Sequence, residues 1–182
     1  MNRLWIIGLA ALACTVNAES NESSELRPTL SIKTGYQFAD DDAYQYIDPR
    51  SAVFGISAGL KFNPQWSVDL GYQYQNDLYA KKTQVNVKTW LIESALRYDY
   101  HVSDVASLYT RLGVGYWDME KTASGTSVSA TGLSPLGEFG LAYQVNRSVE
   151  IAASYQYVYE IGNIHTGEYN SHMALLSATY IF

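Results

Sequence analysis

The sequence predicts an all-β fold, an eight-stranded antiparallel up-and-down transmembrane β-barrel over residues 29–182. Three observations lead to this prediction. Bulky apolar residues alternate with small or polar residues in eight runs, each long enough for the roughly 9 to 11 residues of a tilted membrane strand. The connections between the runs alternate between short and long. With 47% hydrophobic and only 16% charged residues, the chain is also poorly equipped to cover a water-exposed surface.

The predicted strands follow one another with no sign of a second domain. They cover residues 29–39, 51–62, 66–76, 85–100, 106–117, 131–145, 148–161 and 171–182. In each of the first three, one face is bulky and the other is small or polar. The bulky faces consist of Leu30, Ile32, Thr34, Tyr36 and Phe38, then Ala52, Phe54, Ile56, Ala58, Leu60 and Phe62, then Trp66, Val68, Leu70, Tyr72 and Tyr74.

The later runs keep the same alternation. In the fourth run Glu93, Arg97 and Asp99 share the polar face, and in the sixth Glu138 does so. The fifth and seventh runs carry the bulky faces Leu108, Thr110, Leu112, Val114 and Tyr116, and Val149, Ile151, Ala153, Tyr155, Tyr157 and Tyr159. The eighth run alternates up to the aromatic Phe182. The small faces suit the interior of an eight-stranded barrel, which holds side chains and little more.

The lengths of the connections indicate how the barrel is oriented. The short turns are Asn63-Pro64-Gln65, 101–105 and Asn146-Arg147, and the longer connections, rich in turn-forming residues, are 40–50, 77–84, 118–130 and 162–170. This alternation is typical of a membrane barrel with periplasmic turns and extracellular loops. A soluble lipocalin-like barrel is the competing structure. It would place bulk inside and Lys or Glu outside, whereas the polar face here is mostly Gly, Ser, Ala and Gln, which is too small and too sparsely charged for a water-facing exterior.

The first residues predict export. Arg3, an apolar run and Val16-Asn17-Ala18 have the order of a cleavable signal peptide over residues 1–18, followed by a short polar N-terminal segment over 19–28. Cys14 raises the alternative of a lipidated N-terminus. After cleavage at Ala18 no cysteine remains, which suits an oxidising compartment. The net charge of −6 and the lack of a basic patch argue against binding to nucleic acid.

Four stretches in this order resemble the N-terminal transmembrane domain of the OmpA family. They are FNPQWSVDLGYQY at 62–74, SLYTRLGVGYW at 107–117, TGLSPLGEFGLAY at 131–143 and LLSATYIF at 175–182. The resemblance implies a location in the Gram-negative outer membrane, among lipid and lipopolysaccharide. It also implies assembly by the outer-membrane insertion machinery, which reads a C-terminal aromatic signal, here Phe182 and Tyr180. The family's periplasmic peptidoglycan-binding domain is not expected, since the chain stops at Phe182.

The inward face carries nearly balanced charges. The bases Lys33, Lys61, Arg97 and Arg111 share it with the acids Asp69, Glu93, Asp99, Glu138 and Glu150. Balance lets charges lie inside a narrow barrel without a prohibitive cost of desolvation. We therefore predict an interior ion-pair network of Lys61, Asp69, Glu93, Arg97, Arg111, Glu138 and Glu150. Within it, Asp69 and Arg97 are expected to face each other as cross-strand neighbours.

The resemblance gives this network two interpretations. In the family, interior pairs that join an acid on the third strand, a base on the fourth, an acid on the sixth and an arginine on the seventh are linked to a narrow gate. Asp69 and Arg97 match the first two positions, whereas Ala142 and Ala152 occupy the last two. Glu138 and Glu150 are substitute partners, and Arg111 is able to pair with either. The other interpretation is a structural plug of ion pairs and water.

Catalytic and metal sites have weaker support. His165 and His172 are predicted near the extracellular side, with Ser171 and Glu168 close in sequence. Small outer-membrane lipid A acyltransferases and deacylases place a His with a Ser and an acid at one rim of the barrel, but the motif spacings of those enzymes are missing. The acidic residues Asp40, Asp41, Asp42 and Asp48 suit a hard cation that bridges to lipopolysaccharide, or simply a solvated loop. Tyr44, Tyr46 and Tyr79 suit a contact surface or an upper aromatic belt. No catalytic residue, cofactor or metal site is predicted.

These observations predict a small integral outer-membrane barrel that is not an enzyme. Its expected role is structural and surface-contact, with host cells or phage as candidate partners of the long loops, which the resemblance suggests. The alternative is a narrow gated ion pore through the barrel. A general porin is not expected, because eight strands enclose too narrow an interior.

Overall fold

Alternating side chains organise every strand of the chain. The computed structural model describes residues 26–40, 50–80, 85–123, 125–163 and 166–182. Within these ranges it contains β1 (Arg27–Asp40), β2 (Arg50–Lys61), β3 (Trp66–Ala80), β4 (Val85–His101), β5 (Ala106–Ala123), β6 (Thr126–Asn146), β7 (Val149–Asn163) and β8 (Gly167–Ile181). None of these residues forms a helix of the length and apolarity needed to cross a membrane. The predicted signal peptide, Cys14 and most of segment 19–28 lie outside the described residues.

The strands close into a barrel. Each pairs antiparallel with its neighbour in sequence, and β1 pairs with β8 from Thr29 opposite Ile181 to Asp40 opposite Asn170. Closure satisfies both hydrogen-bonding edges of the sheet, which a strand in lipid requires. The prediction of an eight-stranded antiparallel up-and-down barrel is confirmed.

The outer surface is apolar along the strands. Leu112 and Leu133 are 70% and 73% exposed, and they belong to a wide band of exposed aliphatic and aromatic residues. An aromatic belt surrounds the barrel at the short-turn end and contains Trp66, Tyr98, Tyr100, Tyr143, Tyr180 and Phe182. Such a surface suits lipid with an interfacial belt. A lipocalin would have the opposite arrangement.

Polar side chains close the short turns. The Asn63 Oδ1 atom accepts hydrogen bonds from the backbone N–H groups of Gln65 and Trp66, both at 2.8 Å. Ser103 Oγ accepts from Ala106 N at 3.1 Å, and Asn146 Oδ1 accepts from the backbone N–H of Ser148 in the same turn at 2.9 Å. These turns lie at one end of the barrel, which short-turn topology assigns to the periplasm.

The extracellular ends of the strands are longer than predicted. The expected loop at 118–130 is mostly strand, because β5 and β6 stay paired up to Ala123 opposite Thr126. Gly125 has a φ of +84° at the hairpin tip, where glycine avoids strain. The expected loop at 162–170 is likewise shortened, since β7 and β8 pair as far as Asn163 opposite Gly167. The loops were predicted because these segments are rich in Ser and Thr, but threonine is also favoured in β-strands.

Candidate functional site

The interior of the barrel is divided into two zones, which together are the candidate site. The ionic zone, toward the periplasm and mid-barrel, consists of Lys33, Lys61, Asp69, Glu93, Arg97, Asp99, Arg111, Glu138 and Glu150. The apolar zone, toward the extracellular end, consists of Val53, Val87, Leu91, Trp117, Met119, Ala130, Leu136, Val158, Ile161, Tyr169, Met173 and Leu175, and the buried side chains of Gln37, Gln73 and Gln75 lie among them. Strand alternation places both sets inside.

Glu93 and Arg111 form the centre of the ionic zone. Glu93 is fully buried and pairs through Oε1 with Lys33 Nζ and, at 3.2 Å, with Arg111 Nη2. The other Glu93 oxygen accepts a hydrogen bond from Gln156 Nε2 at 2.9 Å. The carboxylate therefore has two cations and an amide as partners, which offsets the cost of burying it.

Arg111 contacts three carboxylates. Its Nε donates to Asp69 Oδ2 at 2.9 Å, and its Nη2 donates to the other Asp69 oxygen. Its Nη1 donates to Glu138 Oε2 at 3.1 Å, and the contact with Glu93 is the third. The planar guanidinium, with five N–H donors, suits this arrangement. Lys33 and Arg111 are two bases against the three acids Asp69, Glu93 and Glu138.

A second cluster lies at the periplasmic end. Arg97 Nη2 lies 2.6 Å from Asp99 Oδ1 and 2.9 Å from Glu150 Oε1. Lys61 Nζ lies 3.8 Å and 3.7 Å from the other oxygens of the same two acids. Two bases and two acids balance in this cluster. Arg97 and Glu150 come from β4 and β7, so the cluster crosses the lumen.

Tyr109 lies between the two clusters. The guanidinium carbon of Arg97 is 4.0 Å from the centre of its ring, a cation–π geometry. Its hydroxyl donates to Glu138 Oε1 at 2.8 Å. Ala142 and Ala152 are buried and pack with Tyr109. The aromatic ring thus occupies space that the two alanines leave.

The expected direct pair between Asp69 and Arg97 is wrong. In the register of β3 and β4, Asp69 lies opposite Ala95 and Arg97 lies opposite Ser67. Arg97 instead faces Arg111 across β4 and β5, and two like charges in that position repel. Arg111 accordingly extends to Asp69, Glu93 and Glu138, while Arg97 contacts Asp99 and Glu150. The small side chain of Ala95 leaves room for Arg111 to reach across a strand.

The apolar zone was not anticipated from the sequence. Leu91, Met119 and Met173 are fully buried inside the barrel. Trp117 Nε1 donates to Ser134 Oγ at 2.9 Å, which in turn donates to the Glu160 carbonyl at 2.7 Å, so the indole is fixed in place. The sequence did indicate that Trp117 points inward, because it lies on the same alternating face as Arg111, Gly113 and Gly115.

Ser171 and His172, two of the residues considered as a catalytic group, lie on opposite sides of the barrel wall. Ser171 points into the barrel and is fully buried, whereas His172 lies on the outer surface between the rings of Tyr155 and Tyr157. A serine and a histidine on opposite faces of one strand cannot form a nucleophile–base pair. His165 lies outside the described residues.

Other predicted residues are placed only in part. Asp41, Asp42, Asp48, Tyr44 and Tyr46 lie outside the described residues. Within the part of the chain that the structure describes, no three His, Cys, Asp or Glu side chains form a group suited to a metal. Tyr180 and Phe182, predicted as the insertion signal, lie together at the periplasmic end, with ring centroids 4.8 Å apart. The Phe182 backbone N–H donates to the Pro28 carbonyl at 3.0 Å.

Comparison with known proteins relates this barrel to outer-membrane proteins. A family model described as outer membrane protein beta-barrel domain matches residues 6–182. Outer membrane protein A of Serratia marcescens is 27% identical over 151 residues, which cover 79% of this chain and 42% of that protein. The chain spans 33% to 42% of the length of such curated relatives.

Solved structures share the fold. Neisserial surface protein A superposes with a TM-score of 0.70 at 17% identity, over 86% of this chain and 97% of its own. Ail, the attachment invasion locus protein of Yersinia pestis, superposes with a TM-score of 0.62 at 20% identity, over 86% and 98%. Identities this low support the fold and not a shared activity.

Proposed function

The chain belongs to the family of outer membrane protein beta-barrel domains, and we propose that it acts there as a closed, non-catalytic barrel with a structural and surface-contact role. It is an OmpA-like protein of the outer membrane. The observation that carries the proposal is the filled interior. Ion-paired side chains occupy its periplasmic part, and buried side chains that are mostly apolar, with Gln37, Gln73 and Gln75 among them, occupy its extracellular part.

The apolar zone supports a barrel that does not conduct. An ion crossing it would lose its water and meet Leu91, Trp117 and Met119, none of which is more than 4% exposed, and unpaired charge in such surroundings is costly. Purified protein inserted in planar lipid bilayers should therefore stay at background conductance. The variant Leu91→Ala/Met119→Ala opens space in the zone. It serves as the positive control, which tests whether the assay is able to detect conductance through an opened barrel. Discrete openings of the unmodified protein would overturn the proposal.

The β5–β6 hairpin supports surface contact. Its strands have 18 and 21 residues, against the roughly 9 to 11 that a membrane strand needs, so the hairpin projects beyond the bilayer. We propose host cells or phage as its partners. The name of the structural neighbour Ail refers to attachment, which makes adhesion a reasonable first assay.

Shortening the hairpin tests this role. Replacing residues 121–128 by Asn-Gly should reduce cell adhesion or phage sensitivity while the barrel keeps its heat-dependent gel mobility. A variant of the periplasmic turn, Ser103→Ala, is the control, since it lies at the opposite end. If the shortened protein folds and every contact assay is unchanged, the hairpin has no contact role.

A gated ion pore is the second candidate, and the position of Arg111 favours it. Arg111 contacts Asp69, Glu93 and Glu138 at the same time, and a gate would require the guanidinium to leave at least one of these carboxylates in a second, open state. In that case Arg111→Met would change single-channel openings. In a closed barrel the same substitution would lower stability and leave conductance at background.

The family resemblance also supports recognition of Phe182 and Tyr180 by the insertion machinery. Both side chains are exposed on the outer surface at the periplasmic end. Deleting Phe182 should lower the folded yield in cells more than it lowers the stability of refolded barrel. Equal losses would leave only a packing role.

A further inference from the structure

The charges of the ionic zone do not balance. The zone contains four bases and five acids, and the excess acid belongs to its central cluster. This cluster consists of Lys33, Asp69, Glu93, Arg111 and Glu138. A buried negative charge without a partner is costly. The central cluster therefore requires one more positive charge, which a proton or a bound cation is able to supply.

A layer of glutamines borders the central cluster on its extracellular side. Gln37 and Gln156 lie directly opposite Met173, on the two strands that pair with β8. From β3, across the lumen, Gln73 and Gln75 direct their amide nitrogens at the Met173 sulfur, at distances of 2.9 Å and 3.7 Å. All four glutamine side chains are buried. This glutamine layer therefore spans the lumen next to the buried charges.

Two amide oxygens of the glutamine layer lack a donor. Gln156 Nε2 donates to Glu93 Oε2 at 2.9 Å, and Gln73 Nε2 donates to the Met173 sulfur. These bonds fix both amides, because turning either one over would place its oxygen against the acceptor. Within the described part of the chain, Gln73 Oε1, Gln156 Oε1 and Ser171 Oγ are buried and have no hydrogen-bond partner. Each of these oxygens needs a positive neighbour.

We propose that the glutamine layer binds one monovalent metal cation, of the sodium or potassium class, as the counter-ion of the central cluster. Gln73 Oε1, Gln156 Oε1 and Ser171 Oγ would be its protein ligands, since such cations are held by oxygen atoms. Neutral ligands beside one excess negative charge favour a singly charged ion over a divalent one. Gln156 joins the two parts of the site, because its nitrogen holds Glu93 and its oxygen would hold the ion.

The ion would enter from the periplasm. The side chains of Asp69 and Lys61 are 18% and 17% exposed, so water reaches the periplasmic side of the lumen. Toward the extracellular end, Leu91 and Met119 are fully buried and would stop the ion. Binding is therefore compatible with a closed barrel, and it does not depend on any surface contact of the hairpin.

Thermal unfolding in different salts tests the site. Barrel extracted from membranes into an uncharged detergent is heated in sodium, potassium, rubidium or N-methylglucamine chloride at one ionic strength, and gel mobility reports the folded fraction. We expect at least one of the metal cations to raise the unfolding midpoint as its concentration rises, as a ligand of the folded state does, while the bulky organic cation has no such effect. Crystals grown in rubidium chloride should show an anomalous peak between Gln73 and Gln156.

Two variants and a matched control locate the effect. Gln156→Leu removes a ligand and Glu138→Gln removes the excess charge, so each should raise the apparent dissociation constant of the cation about tenfold, the effect of one contact to a charged group. Gln73→Leu replaces the first variant if it does not fold. Gln75→Leu is the control, because Gln75 lies in the same layer but its oxygen already accepts from the Tyr169 hydroxyl at 3.3 Å. It should leave the cation dependence unchanged.

Three results would overturn the proposal. Equal unfolding midpoints in every salt, with no anomalous peak, would mean that water alone satisfies the amide oxygens. If Glu138→Gln stabilises the barrel by the same amount in all salts, a proton balances the central cluster in place of a metal ion. If Gln75→Leu weakens the cation effect as much as Gln156→Leu does, the effect does not arise at the assigned oxygens. Conductance and adhesion measure the proposed function separately.

Discussion

The two zones of the lumen are stabilised by different interactions, apolar contacts in one and charge pairs in the other. In the apolar zone each buried side chain gains from contact with any close neighbour, because dispersion and water exclusion have little directionality. In the ionic zone a buried charge is tolerated only with its partner, because desolvation costs as much as pairing returns. The apolar zone should therefore lose stability gradually as atoms are removed. The ionic zone should lose it abruptly when a single partner is removed.

Small residues determine where each zone lies. A side chain at Gly71 would come within 3.1 Å of Glu93 Oε1, and one at Gly113 within 2.6 Å of Ala95 Cβ. Glycine at position 71 leaves space for the Glu93 side chain, and glycine at position 113 lets β5 lie close to Ala95 of β4. Nearer the extracellular end Leu91 lies against Gly115. Large and small residues thus alternate around the lumen, as a narrow barrel requires.

The largest expected effect is in the ionic zone. Arg111→Met keeps much of the side-chain volume but leaves Asp69, Glu93 and Glu138 without their shared cation. We expect a loss of about 3–5 kcal/mol in the free energy of unfolding, as for a broken buried pair. Urea titration in lipid vesicles, followed by tryptophan fluorescence, measures it.

The control for this substitution is Arg27→Met at the periplasmic rim. Arg27 donates to the Arg147 carbonyl at 3.1 Å in an exposed position, so its loss should change stability by less than about 1 kcal/mol. If the Arg111 variant loses no more than this control, the ionic zone is not a set of mutually dependent charges.

The apolar zone gives the next effect. Leu91→Ala removes a fully buried side chain and should cost about 2–5 kcal/mol, depending on how far the surroundings collapse. Leu112→Ala is the matched control, because Leu112 is 70% exposed on the outside and lipid is able to fill the space. A larger loss for Leu112 than for Leu91 would show that the lumen is not packed as described.

The sequence predicted the strands better than it predicted their contacts. Alternation placed Leu70 and Leu112 outside and Glu93 and Arg111 inside, because parity depends only on the extended backbone. It did not give the partners of Arg111, since that side chain reaches past β4 to Asp69 and the register of three strands decides the contact. The apolar zone was missed because residues 118–130 resemble a loop, although Met119 keeps inward parity.

The smallest effects separate direct from indirect neighbours within the ionic zone. A double-mutant cycle of Asp69→Ala and Arg111→Ala should show a coupling energy of about 0.5–3 kcal/mol, because the two side chains are directly hydrogen-bonded. The cycle of Asp69→Ala and Arg97→Ala should be additive within about 0.5 kcal/mol, because Arg97 is paired with Asp99 and Glu150. Both cycles use the same unfolding assay and share the single variant Asp69→Ala, so that only the arginine partner differs between them. Strong coupling to Arg97 together with none to Arg111 would restore the simple cross-strand pair and overturn the division into two clusters.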